Sequence, residues 1–90
     1  MSIRVNVHPS LYHLTNNQEV VVVQGTTIGQ CLKHLIEQFP DMEEALFDKN
    51  GKLLNYVDIY INMESAYPEL LDRKVKESDE LHLMPVIQGG

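Results

Sequence analysis

Four histidines, one cysteine, two knots of carboxylates and a Gly-Gly ending are the groups in this sequence with the types to do chemistry. His8, His13, His34 and His82 fall in separate segments, without the spacing of a metal-ligand pair. They read as solvated surface residues, and no metal site is expected. Cys31 stands alone, which excludes an intramolecular disulfide and a multi-cysteine zinc site. It lies among apolar residues at helical spacing, where a thiol packs as a small inert hydrophobe rather than acting as a nucleophile. Asp41, Glu43, Glu44 and Asp48 form one acidic cluster, and Glu77, Asp79 and Glu80 another. Clustered carboxylates suit acid–base work or a hard cation. Helix capping, dipole complementarity and solvation account for these more simply. No G-x-x-x-x-G-K-[ST] loop is present to cradle ATP. Tyr12, Tyr56, Tyr60 and Tyr67 are too scattered, in too acidic a chain, to form a base-stacking platform.

The tail Gln88-Gly89-Gly90 is what remains. At ~7% usage each, two terminal glycines arise by chance roughly once in two hundred chains. Simple fraying of a chain end is one reading of them. The other is chemical. The pair follows a strand pattern with no polar linker between. Terminal glycines add no packing and are costly to order. Without a β-carbon such a tail is thin enough to thread a narrow channel, and its carboxylate is unhindered. A free carboxylate is unreactive and needs activation, for example by adenylation. This chain shows no ATP motif, so a separate enzyme would supply that step.

The elements that must carry the tail fit one small domain over residues 1–90, with residues 86–90 as a flexible extension. Ninety residues bury only roughly 60–65% of their unfolded surface, enough for one modest core and little room for a deep cleft. A hydrophobic fraction of 43% argues against disorder. The net charge of −6 disfavours nucleic acid and anionic membranes as ligands. It favours a partner with a basic or neutral docking patch. The first residues alternate instead of forming a signal peptide, and no run approaches the ~18 apolar residues of a membrane span. A soluble cytoplasmic protein, monomeric when free, is expected.

Ile3, Val5 and Val7 alternate with Arg4, Asn6 and His8, the period of a half-buried strand. Pro9 suggests a bulge, with Leu11, Tyr12 and Leu14 extending the strand beyond it. Thr15-Asn16-Asn17 marks a turn into a second strand, Glu19-Val20-Val21-Val22-Val23. Thr27-Ile28-Gly29-Gln30 has the form of a capping box. Ile28, Cys31, Leu32, Leu35, Ile36 and Phe39 then share one helical face, and Pro40 ends the helix. Asp41 is placed to cap a short second helix through Phe47, and Asn50-Gly51 is a turn. Leu53 and Leu54 begin an extended segment, and Val57, Ile59 and Ile61 mark a strand. Residues 63–79 read as turns with one short edge strand, anchored by Leu70, Leu71 and Val75. A last strand carries Leu81 and Leu83, and Pro85 is expected to stop its pairing. A hairpin followed by one helix and further strands gives a two-layer α+β roll, a mixed sheet of 4–5 strands with one main helix across it.

The sequence resembles the MoaD/ThiS family of ubiquitin-like sulfur carriers over nearly its whole length. Gly25-Thr26-Thr27-Ile28-Gly29-Gln30-Cys31-Leu32 resembles the family's threonine-led helix start, and Phe39-Pro40 its helix end. Residues 48–53 resemble a turn found in longer members, and Ile59-Tyr60-Ile61-Asn62 a strand ending in asparagine. Most specific is Ser78-Asp79-Glu80-Leu81-His82-Leu83-Met84-Pro85-Val86-Ile87-Gln88-Gly89-Gly90, similar to the family's closing pattern. Ser78 stands where glycine is frequent, and Asn62-Met63 where Asn-Gly is frequent. Both differences touch turn geometry and not the tail.

The resemblance implies a β-grasp fold and a protein that is a carrier rather than an enzyme. An adenylating enzyme of the ubiquitin-activating (E1-like) class would activate Gly90, using ATP. A sulfur donor would then convert the acyl-adenylate to a thiocarboxylate, leaving this chain with no cofactor of its own. A sulfur-accepting biosynthetic enzyme would be the second partner, and residues 48–53 point to the molybdopterin or cysteine type. Met84, Pro85, Val86 and Ile87 would dock in the partners' groove, with Gln88 and Gly89 threading toward the reactive centre. For Val86 and Ile87, covering the sheet edge is an equal and compatible reading. A modifier joined through Gly90 to lysines and a simple interaction module are the competing functions.

Overall fold

The computed structural model describes residues 2–85. The opening alternation becomes strand β1 (Ser2–Asn6), with Ile3 and Val5 fully buried. It pairs antiparallel with β2 (Val20–Gln24), Ile3 opposite Val23 and Val5 opposite Val21. The connection corrects one expectation: Leu11, Tyr12 and Leu14 do not extend the strand, because Pro9–Leu14 is a 3-10 helix. Pro9 sits in its first turn, where a missing N–H costs nothing and a fixed φ suits a helical start. His8 caps it in extended geometry, Nδ1 accepting from the Ser10 N–H at 3.2 Å. Asn16 and Asn17 then turn the chain with φ of 53° and 63°, as asparagine tolerates.

Thr27 caps α1 (Ile28–Gln38), its Oγ1 accepting from the Gln30 N–H at 3.2 Å. Gln30 reaches one residue further back than a capping box requires. Its Oε1 accepts from both the N–H and the hydroxyl of Thr26, each at 2.8 Å. Ile28, Cys31, Leu32 and Leu35 are fully buried, with Ile36 and Phe39 half-buried beside them. A second correction concerns α2 (Met42–Leu46): Asp41 makes no side-chain cap bond. Its backbone is already helical at φ −68° and ψ −14°, not the extended form of a cap. Of the amides a cap serves, the Glu43 N–H already donates to the Pro40 carbonyl at 3.1 Å.

Asp48 organises the next turn, accepting from the N–H groups of Asn50 and Lys52 at 2.8 and 3.0 Å, with Gly51 at φ +80°. The chain continues through β3 (Val57–Ile61), β4 (Glu64–Ser65), a 3-10 turn at Leu70–Asp72 and β5 (Glu80–Pro85). Within residues 63–79, Val75 is buried as expected, and Ala66, not foreseen, is fully buried too. The sheet order is β2-β1-β5-β3-β4. β1 and β5 are parallel and the other pairs antiparallel. The stripe of α1 joins the inward residues of β1, β2, β3 and β5 in one core. This is the β-grasp arrangement.

Candidate functional site

β5 is an interior strand, and it leads to the tail. Val5 and Asn6 of β1 lie beside Leu81 and His82, while β3 pairs with β5 from Leu81 to Pro85. Leu81 and Leu83 point into the core at 0% and 1% exposure, so the strand is anchored through its inward side chains. Met84 points to the opposite face and is 41% exposed, and Pro85 is half-buried.

Pro85 was expected to stop pairing; instead it remains in the ladder, opposite Val57. The reason lies in the alternation of hydrogen-bonded and non-bonded pairs along an antiparallel ladder. Asn62 N–H donates to the Glu80 carbonyl at 2.7 Å. Counting along the register from that bonded pair, Val57 and Pro85 form a non-bonded pair. The nitrogen of Pro85 therefore faces away from β3, toward the flank where the β1 ladder has already ended at His82. Proline costs no ladder bond there.

The start of β5 is pinned with equal care. Asn62, at φ 56°, also accepts the Glu80 N–H on its Oδ1 at 3.1 Å. Asp79 accepts from Lys76 N–H at 2.8 Å and from Asn62 Nδ2 at 3.3 Å. Glu77 accepts from Ser2 N–H at 3.3 Å. The second acidic cluster thus serves the turn that launches the last strand. Ser78 takes up the left-handed backbone, φ 77°, at the position where the resembled family frequently has glycine. In the sequence Asn62 stands out as a strand ending and a turn position, not as a residue that holds Glu80. Its type, a residue tolerant of positive φ, was the available signal for a pinning role.

On the open face of the sheet, Asp58 lies opposite Met84 and Tyr60 opposite His82. Asp58 accepts from Ile59 N–H at 2.8 Å and lies 3.2 Å from the Ser65 hydroxyl. Of the expected docking residues the structure thus places Met84 and Pro85 together at the end of β5. Val86, Ile87, Gln88, Gly89 and Gly90 lie outside the described residues.

Elsewhere Cys31 and His34 serve the fold. Cys31 is buried in the α1 stripe, and burial pushes its thiol up from the ordinary value of 9.0. His34 Nδ1 accepts the Gln24 N–H at 2.8 Å. Among the described residues, no group of three or more His, Cys, Asp or Glu side chains could hold a metal ion. Among them too, no helix is long and apolar enough to cross a membrane.

Comparison with known proteins covers the sequence through Gly90. The ThiS family model matches residues 5–90. The sulfur carrier protein CysO of Mycobacterium tuberculosis is 28% identical over 93 residues, covering 100% of both chains. Its crystal structure superimposes with a TM-score of 0.85 at 26% identity, covering 94% of this chain and 99% of that one. Small archaeal modifier protein 1 of Haloferax volcanii is 31% identical over 64 residues, covering 71% of this chain and 70% of that one. Its crystal structure gives a TM-score of 0.87 at 26% identity, with 100% of both chains covered. Both relatives are named for carrying or modifying, not for a reaction they catalyse. With a mixed five-stranded sheet, one main helix and a match running to the final glycine, the chain belongs to the ThiS family of ubiquitin-like β-grasp proteins.

Proposed function

We propose that this protein carries sulfur on the carboxyl of Gly90. A partner adenylates that carboxylate with ATP, releasing pyrophosphate. A hydrosulfide then displaces AMP to leave a thiocarboxylate. With a persulfide donor the first product is an acyl disulfide, which a second thiol cleaves. The thiocarboxylate is a soft nucleophile, ionised at neutral pH, and a biosynthetic enzyme of the molybdopterin or cysteine type takes the sulfur. Met84, Pro85, Val86 and Ile87 dock on the partners, and Gln88 and Gly89 thread the reactive end into their active sites. The net charge of −6 suits partners with basic or neutral docking patches.

The observation that carries this reading is the family match through residue 90, together with full-length similarity to a sulfur carrier. The anchored β5 supports it, because a rigid strand can present the chain end without unfolding the body. The similarity to an archaeal modifier favours a second reading, in which an amine of a lysine displaces AMP and an isopeptide bond forms.

Intact-mass measurement of the protein purified from cells, with and without the adenylating partner, tests the proposal. The carrier gains the mass of sulfur less that of oxygen when the partner is present. An unchanged mass with an active partner and a sulfur source overturns it. Lysine-linked conjugates ending in the Gly-Gly remnant would establish the modifier instead.

A further inference from the structure

A strand at the edge of a sheet presents unpaired backbone N–H and C=O groups that invite another chain to pair. β2 is such an edge. Along its ladder with β1, bonded and non-bonded pairs alternate. Val7 N–H donates to the Glu19 carbonyl at 2.9 Å just beyond the last pair. Counting from there, Val21 and Val23 bond to β1, and the backbone groups of Val20, Val22 and Gln24 face outward.

Two of those outward groups are occupied by α1. Gln24 N–H donates to His34 Nδ1 at 2.8 Å, and the Val22 carbonyl accepts from Gln38 Nε2 at 3.1 Å. His34 and Gln38 are four residues apart, hence neighbours on one helix face. Among the described residues no other side chain bonds the outward backbone groups of β2. Val20-Val21-Val22-Val23 contains no charge and no proline, and its register with β1 is free of bulges. Val20 and Val22 are 43% and 53% exposed on the open face.

We propose that His34 and Gln38 close a latent strand-pairing edge, and that its occupant, once they are withdrawn, is β2 of a second copy of this chain. The hydrogen-bonding pattern favours that occupant. Antiparallel pairing centred on Val22 sets Val22 against Val22 and Val20 against Gln24. All three outward-facing positions then meet their complements about a twofold axis. In the same register Glu19 falls opposite Gly25, so no like charges oppose one another. The exposed valines of the two copies become cross-strand neighbours on one face.

The test is the double variant His34→Leu/Gln38→Leu, which keeps bulk and helix propensity while removing the acceptor and the donor. The native chain is expected to scatter light as one copy. The double variant should double in mass and stop there. Its Val22 and Gln24 amides should exchange at least tenfold more slowly in concentrated than in dilute solution. Adding Val22→Lys to the double variant should restore the single copy. Where leucine disturbs folding, His34→Ala/Gln38→Ala carries the same readouts. A folded double variant that stays single, with exchange independent of concentration, overturns the proposal. So does a mass that grows past two copies, or dimers that persist with Val22→Lys.

Discussion

Val5 and Leu81 stand side by side in parallel register at the centre of the sheet, joining the first strand to the last. Both are fully buried against the stripe of α1. The strand that leads to the Gly-Gly end is therefore held by the most central part of the fold. Pulling on the tail loads the core rather than a peripheral edge. A chain end used as proposed above would benefit from that placement.

The inward face of α1 supplies much of that core. Leu32→Ala and Leu35→Ala each remove a fully buried side chain from it. Each should lower unfolding free energy by about 2–5 kcal/mol. Urea titration of both variants measures it, and an unchanged midpoint at both sites would mean that α1 faces the wrong way.

Gly25 makes a close approach instead of a turn. A β-carbon there would lie 2.8 Å from Cys31 N and 3.0 Å from Cys31 Sγ, at the first turn of α1. Gly25→Ala should therefore displace the helix start and destabilise by about 1–3 kcal/mol, as overpacking does. Thermal and urea unfolding of the variant give the value. Gly51→Ala is a useful contrast, since open space surrounds that site and only its φ of +80° resists a side chain.

The buried thiol makes stability fall at alkaline pH. Burial raises the Cys31 pKa above its ordinary 9.0, so the unfolded chain loses the proton first. The contribution is complete below about pH 9 and is lost as pH climbs toward the raised folded value. In Cys31→Ala this component of the slope should vanish, although the variant starts from lower stability. Unfolding midpoints of both proteins between pH 7 and pH 10.5 test it. Parallel curves would mean that the thiol titrates alike in both states.

Reactivity at the chain end should be sensitive to length. One residue added after Gly90 removes the glycine carboxylate and should abolish thiocarboxylate formation while leaving the unfolding midpoint unchanged. Intact mass after incubation with the adenylating partner, ATP and sulfide provides the readout. Full conversion of the extended chain, without trimming, would refute a role for the Gly90 carboxyl.

Local pattern alone accounted for α1, because Ile28, Cys31, Leu32 and Leu35 repeat at the helical period and Thr27 precedes them as a cap. Alternation likewise marked β1, β3 and β5, and Asn16, Asn17 and Gly51 sit where left-handed backbone is needed. The prolines were harder to read. Pro9 starts a 3-10 helix and Pro85 closes a ladder, because proline's effect depends on which way its nitrogen faces. Asp41 has the residue type of a cap, but its backbone is already helical and the Pro40 carbonyl holds the Glu43 N–H.

By itself the sequence determined α1 with its buried stripe, the alternating strands β1, β3 and β5, and the presence of Gly89-Gly90, since these depend on residue type and near-neighbour spacing. The tertiary structure decided that β1 adjoins β5 in parallel, that Asn62 pins Glu80, and that His34 and Gln38 cover the edge of β2. Each of those relationships joins segments distant along the chain. Their register follows from how the sheet and helix pack together, and no local pattern encodes it.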